Sequence, residues 1–223
     1  MIEYARLKSL RIFEVYFCSS KLNFPRYALV RYFQCKEFFP LSVLKRIKTT
    51  IHINLSDYDF NAMAHKSFRY DVRKIEKTSH LYKIGNNNSI KELNEVIESY
   101  AVFAKKRNIT KPNKSRVMAL RQSNIAYTLC SVDDCISYHI YLRSKERVRL
   151  LYSWINKRSE DKVVVNGLNK IHTKNDIEYF KNEGLSIYDF GGYSSDRNNG
   201  IDQFKRKFGG TIVKEYSGIC ISL

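Results

Sequence analysis

YDFGGYSSDRNNGIDQFKRKFGG, from Tyr188 to Gly210, brings together two glycine pairs, an acid at the end of an apolar run, and a basic stretch carrying two phenylalanines. The DFG triplet invites a kinase reading, which fails. No HRD-type catalytic loop and no GxGxxG loop precede it. SIYDF reads as a buried strand. Gly191 and Gly192 read as the turn after it, where positive φ or a close backbone approach is needed. From about Gly200 the pattern is helical. Phe204 and Phe208, at i and i+4, should bury on a sheet while Lys205, Arg206 and Lys207 project toward solvent or ligand.

Working outward, TIVKEYSGICISL closes the chain as one or two strands, and GLNKIHTKNDIEYFKNEG is a helix ended by Gly184 at C′. IAYTLCSVDDCISYHIYLRSKERVRLLYSWIN gives three strands joined by tight turns at VDD and SKE. SIKELNEVIESYAVFAKKRN is an amphipathic helix in which Ser89 and Glu92 form a capping-box pattern. A short helix is expected over Ser115–Gln122, and HLYKIG is a short strand before a GNNN turn. Phe60, Met63, Ala64, Phe68, Val72 and Ile75 recur at helical spacing, with Ser56 or Asp57 as cap. The first 55 residues read as strands and turns, with a helix allowed around Leu41–Ile47. The order implies an α/β (α+β) fold with a mixed, mostly antiparallel sheet flanked by helices.

Composition narrows the partners. The 43% hydrophobic and 13% aromatic content describe a folded globule, and no Ser/Gly/Pro-rich linker interrupts it, so one continuous domain is expected over residues 1–223. Lys and Arg outnumber Asp and Glu by 39 to 22 and run through the whole chain, giving a formal charge of +17. Such a surface is either merely solvated or meets a phosphate-bearing ligand, an RNA or an anionic membrane. Five scattered cysteines without CxxC spacing suggest neither a metal site nor a secreted disulfide framework. With no signal peptide or spanning segment in the pattern, the expected location is the cytoplasm, with attachment to the inner face of the membrane left open.

The C-terminal stretch resembles the signature of FemABX-type acyltransferases, a branch of the GNAT superfamily. There a G-x-x-x-(Y/F)-D-(F/L)-G-G strand and turn precede a (G)-(I/L)-x-x-F-K-x-x-F-G-G helix. Gly184, Tyr188, Asp189, Phe190, Gly191 and Gly192 match the first part; Gly200, Ile201, Phe204, Lys205, Phe208, Gly209 and Gly210 match the second. FRYDVRKIEKTSHLYKI is similar to the family's basic helix and following strand, so the resemblance runs from about Leu55 to the end. Cell-wall FemABX proteins usually hold two such domains. This chain has room for one and so looks like a single-domain relative.

The resemblance implies direct attack of an amine on a thioester or ester, with proton acceptance and oxyanion stabilisation. Asp189 is the first candidate to orient or deprotonate the amine; capping of the following turn is its alternative role. His139 and Tyr152 are further catalytic candidates, and each also suits a core. Donor phosphates would sit near Asn166, Gly167, Asn169 and His172, with Lys205 as a further donor contact. Of the GNAT Q/R-x-x-G-x-G/A loop only Gly167 remains. Arg69, Arg73, Lys74, Trp154, Gly191 and Gly192 are candidates for the acceptor side, the basic three for a phosphate.

The leading expectation is an N-acyltransferase moving an acyl group from acyl-CoA, as co-substrate, to an amino group of a cell-envelope or polysaccharide precursor such as a nucleotide-linked amino sugar. An aminoacyl-tRNA-dependent transferase is the alternative, favoured by the charge. A non-catalytic nucleic-acid-binding module is the third reading, and a homo-oligomer is compatible with each. No resident cofactor or metal is expected.

Overall fold

The computed structural model describes residues 2–7, 10–18, 26, 28–39, 41–85, 89–156, 162–194 and 199–222. The elements run β1 (Ile2–Leu7), β2 (Leu10–Tyr16), β3 (Ala28–Cys35), β4 (Ser42–Asn54), α1 (Phe60–Met63), α2 (Lys66–Glu76), β5 (Leu81–Ile84), α3 (Ile90–Arg107), α4 (Lys114–Asn124), β6 (Ile125–Val132), β7 (Cys135–Arg143), β8 (Arg147–Asn156), α5 (Lys162–Asn182), β9 (Ile187–Tyr193), α6 (Gly200–Arg206) and β10 (Thr211–Ser222). The fold is α/β with mixed, mostly antiparallel pairing and flanking helices, as the sequence suggests. The chain divides into two compact units, residues 1–51, 192–196 and 212–223 in the first and 52–191 and 197–211 in the second.

In the first unit β1 is antiparallel to β2, β2 parallel to β3, and β3 antiparallel to β10. Its core joins Phe13 and Val15 of β2, Ala28, Val30, Tyr32 and Cys35 of β3, Phe39 and Cys220. The helix allowed over Leu41–Ile47 is instead the start of β4. The run continues through Thr49, Thr50, Ile51 and Ile53, and these β-branched residues carry one extended conformation across the whole segment.

In the second unit β5, β6, β7 and β8 form an antiparallel meander, and β9 joins β8 in parallel. Ser89 Oγ accepts the Glu92 N–H as its capping box requires, while the expected GNNN turn lies mostly outside the described residues. The long helix expected after Leu55 is broken. Asp59, not Ser56 or Asp57, caps α1, Ala64 is extended, and His65 caps α2. Each short polar side chain offers the backbone a local alternative to continuing the helix. α5 begins at Lys162, five residues before the glycine at which the sequence reading started it. It ends as expected, with Gly184 (φ 79°) at C′ and the Leu185 and Gly184 N–H groups returning to Phe180 and Lys181 carbonyls. α6 docks through its phenylalanines: Phe204 and Phe208 pack on Phe68 at 5.3 and 5.2 Å, and Phe208 on Phe190 at 5.4 Å.

The two glycine pairs serve separate close approaches. Gly191 lies within β9, which runs on to Tyr193, so the pair continues the strand where a turn was expected. At φ 77° a Cβ on Gly191 would stand 2.9 Å from the Leu150 carbonyl of β8. Gly209, at φ 85°, brings the end of α6 against α1, where a Cβ would come within 2.6 Å of the Met63 carbonyl.

Candidate active site

β8 and β9 pair at three positions among the described residues, Arg147 to Ile187, Val148 to Tyr188 and Arg149 to Asp189. Opposite β7, the β8 register skips Leu151: Ile140 faces Tyr152 and Tyr141 faces Leu150. A bulge there bends the strand and raises its twist. It falls just beyond the last described register pair with β9, Arg149 with Asp189. Parallel strands that part at a bulge make a natural seat for an extended ligand, because main-chain donors and acceptors are on offer there.

Charged side chains gather at this parting. Asp189 is buried, and its Oδ2 accepts from Arg147, and from Arg149 Nη1 at 2.6 Å. Its Oδ1 accepts the Gly191 N–H at 2.8 Å, and His52 Nε2 stands 3.9 Å from the same oxygen. Lys205 of α6 is 9% exposed. Burial pulls its ammonium pKa below the usual lysine value, with Arg149 adding to the effect and Asp202 and Asp189 opposing it. A carboxylate gripped by two guanidinium groups and a main-chain amide is a poor proton acceptor. These bonds anchor the cluster on Asp189, whose Oδ1 caps the glycine backbone. Arg147, Arg149 and His52 were not singled out from sequence. Two arginines at i and i+2 in an otherwise apolar strand, KERVRLLYSWIN, are a signal for a buried acid opposite them.

A second polar cluster lies between β7 and α5. Asp176 is fully buried and accepts from Tyr82 at 2.8 Å, Tyr141 at 2.5 Å and His139 Nδ1 at 2.5 Å. Burial works against its charge, but the adjacent imidazoles and the Tyr141 hydroxyl hold its pKa below the ordinary carboxylate value. His172 stacks on His139 with ring centroids 3.8 Å apart. Its two nitrogens meet Thr128 and Ser137, each at 2.8 Å. Burial pushes the His172 pKa down to about 3, so this imidazole is neutral. His139 Nε2 meets Asn169 Oδ1 at 2.8 Å, an oxygen that Ser153 Oγ also reaches at 3.3 Å. His139, His172 and Asp176 could in principle surround a metal ion, but all four ring nitrogens already have protein partners. The sequence pattern gave no hint of Asp176, because its partners come from β5, β7 and α5.

The predicted sites thus divide. His139, Asn169 and His172 belong to the buried network. Asn166 is exposed on α5. Gly167 lies inside α5, where a Cβ would come within 2.3 Å of Ile75 Cγ1, so it serves the packing of α5 on α2. Arg69 is half-buried, and Arg73 and Lys74 are exposed on α2, Lys74 over the Tyr70 ring at 4.5 Å. Tyr152 and Trp154 both pack on Tyr100, at 4.7 and 5.2 Å, and burial raises the Tyr152 pKa. Trp154 also lines a cleft of about 1040 Å³ between α3 and β8, together with Asn94, Val102, Phe103, Lys106 and Ile155. Gly191 and Lys205 join Asp189 at the strand parting, and Gly192 is exposed with open space beside it.

No family model matches the sequence, and no curated protein matches it. Among solved structures, the chain is similar to the C-terminal domain (DUF2156) of an Agrobacterium fabrum protein assigned as a lysylphosphatidylglycerol synthetase. The TM-score is 0.61 at 9% identity, over 86% of this chain and 68% of that one. L-PGS from Bacillus licheniformis gives a TM-score of 0.60 at 8% identity, over 87% of this chain and 68% of that one. FemX gives 0.58 at 12% identity, over 78% of this chain; the chain spans 61% of that one. At these identities the likeness is one of fold. The chain has a GNAT-like fold of the FemABX-related kind.

Proposed function

We propose that the chain is an acyltransferase of the GNAT/FemABX type, moving an activated aminoacyl group from an ester of tRNA to an amine. The carrying observation is the parting of β8 and β9 with the buried Lys205 beside it. In this reading the acceptor nitrogen attacks the acyl carbon, a C–N bond forms, and the C–O bond to the ribose breaks. The nitrogen loses a proton and the leaving ribose oxygen takes one up. The Lys205 ammonium faces the oxyanion, and its lowered pKa suits it to hand a proton to the leaving oxygen. Arg147, Arg149 and Asp189 hold the strand ends and set the charge around Lys205.

Donor choice rests on the start of α5. An acyl-CoA pyrophosphate is commonly seated on glycine-rich main chain before a helix. KRSEDKVVVN, from Lys157 to Asn166, contains no glycine, and Gly167 is committed to packing on Ile75. The charge of +17 suits a polyanionic donor, and the fold neighbours include FemX and a lysylphosphatidylglycerol synthetase. The acceptor is an amine of an envelope precursor, with the cleft beside Trp154 as its apolar seat.

Bulk tRNA charged with labelled amino acids, incubated with the protein and nucleotide-linked amino sugars, tests the proposal. Label should pass from tRNA to the amino sugar. Movement of label only from acetyl-CoA would overturn the donor, transfer from tRNA only to phospholipid vesicles would overturn the acceptor, and no transfer from either donor would overturn the activity.

A further inference from the structure

The opening of β4 and the residue before it form an exposed apolar and basic surface. Leu41, Val43, Leu44 and Ile47 are 82%, 67%, 40% and 58% exposed, and Lys45, Arg46 and Lys48 between and beside them are exposed too. Val43, Lys45 and Ile47 alternate onto one face of the strand, while Leu44, Arg46 and Lys48 alternate onto the other. Both faces are open here, whereas Thr50, Ile51 and Ile53, later in the same strand, are buried. Single exposed aliphatics are ordinary on soluble proteins, but four within seven positions make a patch that marks an interaction. No acid occurs between Glu37 and Asp57, so the patch is uniformly cationic.

We infer that the segment from Leu41 to Lys48, at the opening of β4, is a membrane-surface contact that seats its aliphatic side chains among acyl chains and its cations on anionic headgroups. Charge and apolarity decide the occupant together. RNA would reward the cations but gain nothing from leucine, valine and isoleucine, for which base stacking needs aromatic or guanidinium planes. An anionic bilayer rewards both, since cations next to its surface draw on the headgroup potential while aliphatics partition below it. Lys45 Nζ stands 5.5 Å from the Phe38 ring centroid, and its long aliphatic stem suits such a boundary. No described helix is long and apolar enough to cross a membrane, so this would be contact at the surface. The inference does not depend on the transferase reading.

The test uses the full chain with vesicles of phosphatidylcholine alone or mixed with phosphatidylglycerol. Sedimentation should show binding to the mixed vesicles, weakened roughly tenfold or more in L41S/V43S/I47S. K45Q/R46Q should weaken it by about fivefold per cation. All five positions are exposed, so unchanged melting temperatures will show that the fold is kept. A Val43→Trp reporter should shift to the blue on mixed vesicles, against the constant signal of the buried Trp154. Absence of binding overturns the inference. So does binding that ignores the aliphatic variant and leaves the reporter unshifted, which is charge adsorption alone. Binding of bulk tRNA through the same residues, with vesicles inert, reassigns the strand to RNA.

Discussion

Asp189 and Asp176 are both fully buried carboxylates of the second unit, yet their surroundings differ in kind. Asp189 sits where two strands part, gripped by two arginines and a glycine amide, with a desolvated lysine close by. Asp176 sits where β7 is sealed by α5, held by two tyrosines and a histidine that are themselves satisfied. The first arrangement gathers several charged side chains, one of them a desolvated lysine, where β8 and β9 part. The second ties its buried imidazoles and its carboxylate to protein partners, which fixes the position of α5. On the proposed transferase reading, the contrast puts reaction at the strand parting and scaffold at the helix seam.

Removing each acid should break the comparison in different ways. Asp189→Ala removes the carboxylate that the buried Arg147 and Arg149 share, a loss of about 3–5 kcal/mol that urea denaturation will read. Asp176→Asn keeps the shape but removes the charge that His139 and Tyr141 address; about 2–3 kcal/mol should be lost, with transfer activity surviving wherever the variant is folded. Loss of activity in folded Asp176→Asn would place the seam within the reaction machinery.

Acid should act first on the seam. His172 is held neutral, with its folded pKa near 3 against about 6.5 in the unfolded chain. Between those values the unfolded state binds the extra proton, so stability is present above pH 6.5 and falls as pH drops toward 3. Thermal melts across this range should show the decline, and His172→Asn should flatten it. An unchanged slope would mean that His172 is charged in the folded protein.

Much of this was legible from sequence wherever one periodicity or one local motif decides the outcome. The Ser89 cap, the meander and the Gly184 helix end form as read, and Phe204 and Phe208 pair at i and i+4 as expected, but they pack on Phe68 of α2 and Lys205 between them is buried where it was expected to project. The break between α1 and α2 was hidden because the apolar spacing runs unbroken across Ala64, while His65 and Asp59 compete for the backbone locally. The first half of β4 was ambiguous because its aliphatics face no core, so neither period is enforced. The site was half legible: the motif marked Asp189, Gly191 and Lys205, but their roles follow from Arg147 and Arg149 on a strand some forty residues earlier in the chain. Gly167 misled for the same reason, since only the packing against Ile75 shows what it is for.

The most direct measurement compares wild type with Lys205→Met for transfer of labelled amino acid from tRNA to a nucleotide-linked amino sugar, alongside melting temperatures. Methionine fills a similar volume and removes a desolvated charge, so the melting temperature should hold or rise. Turnover should fall by about 100-fold, the scale of losing one oxyanion-facing group. Equal turnover in the two proteins, at equal melting temperature, would contradict the assignment of reaction to the parting of β8 and β9.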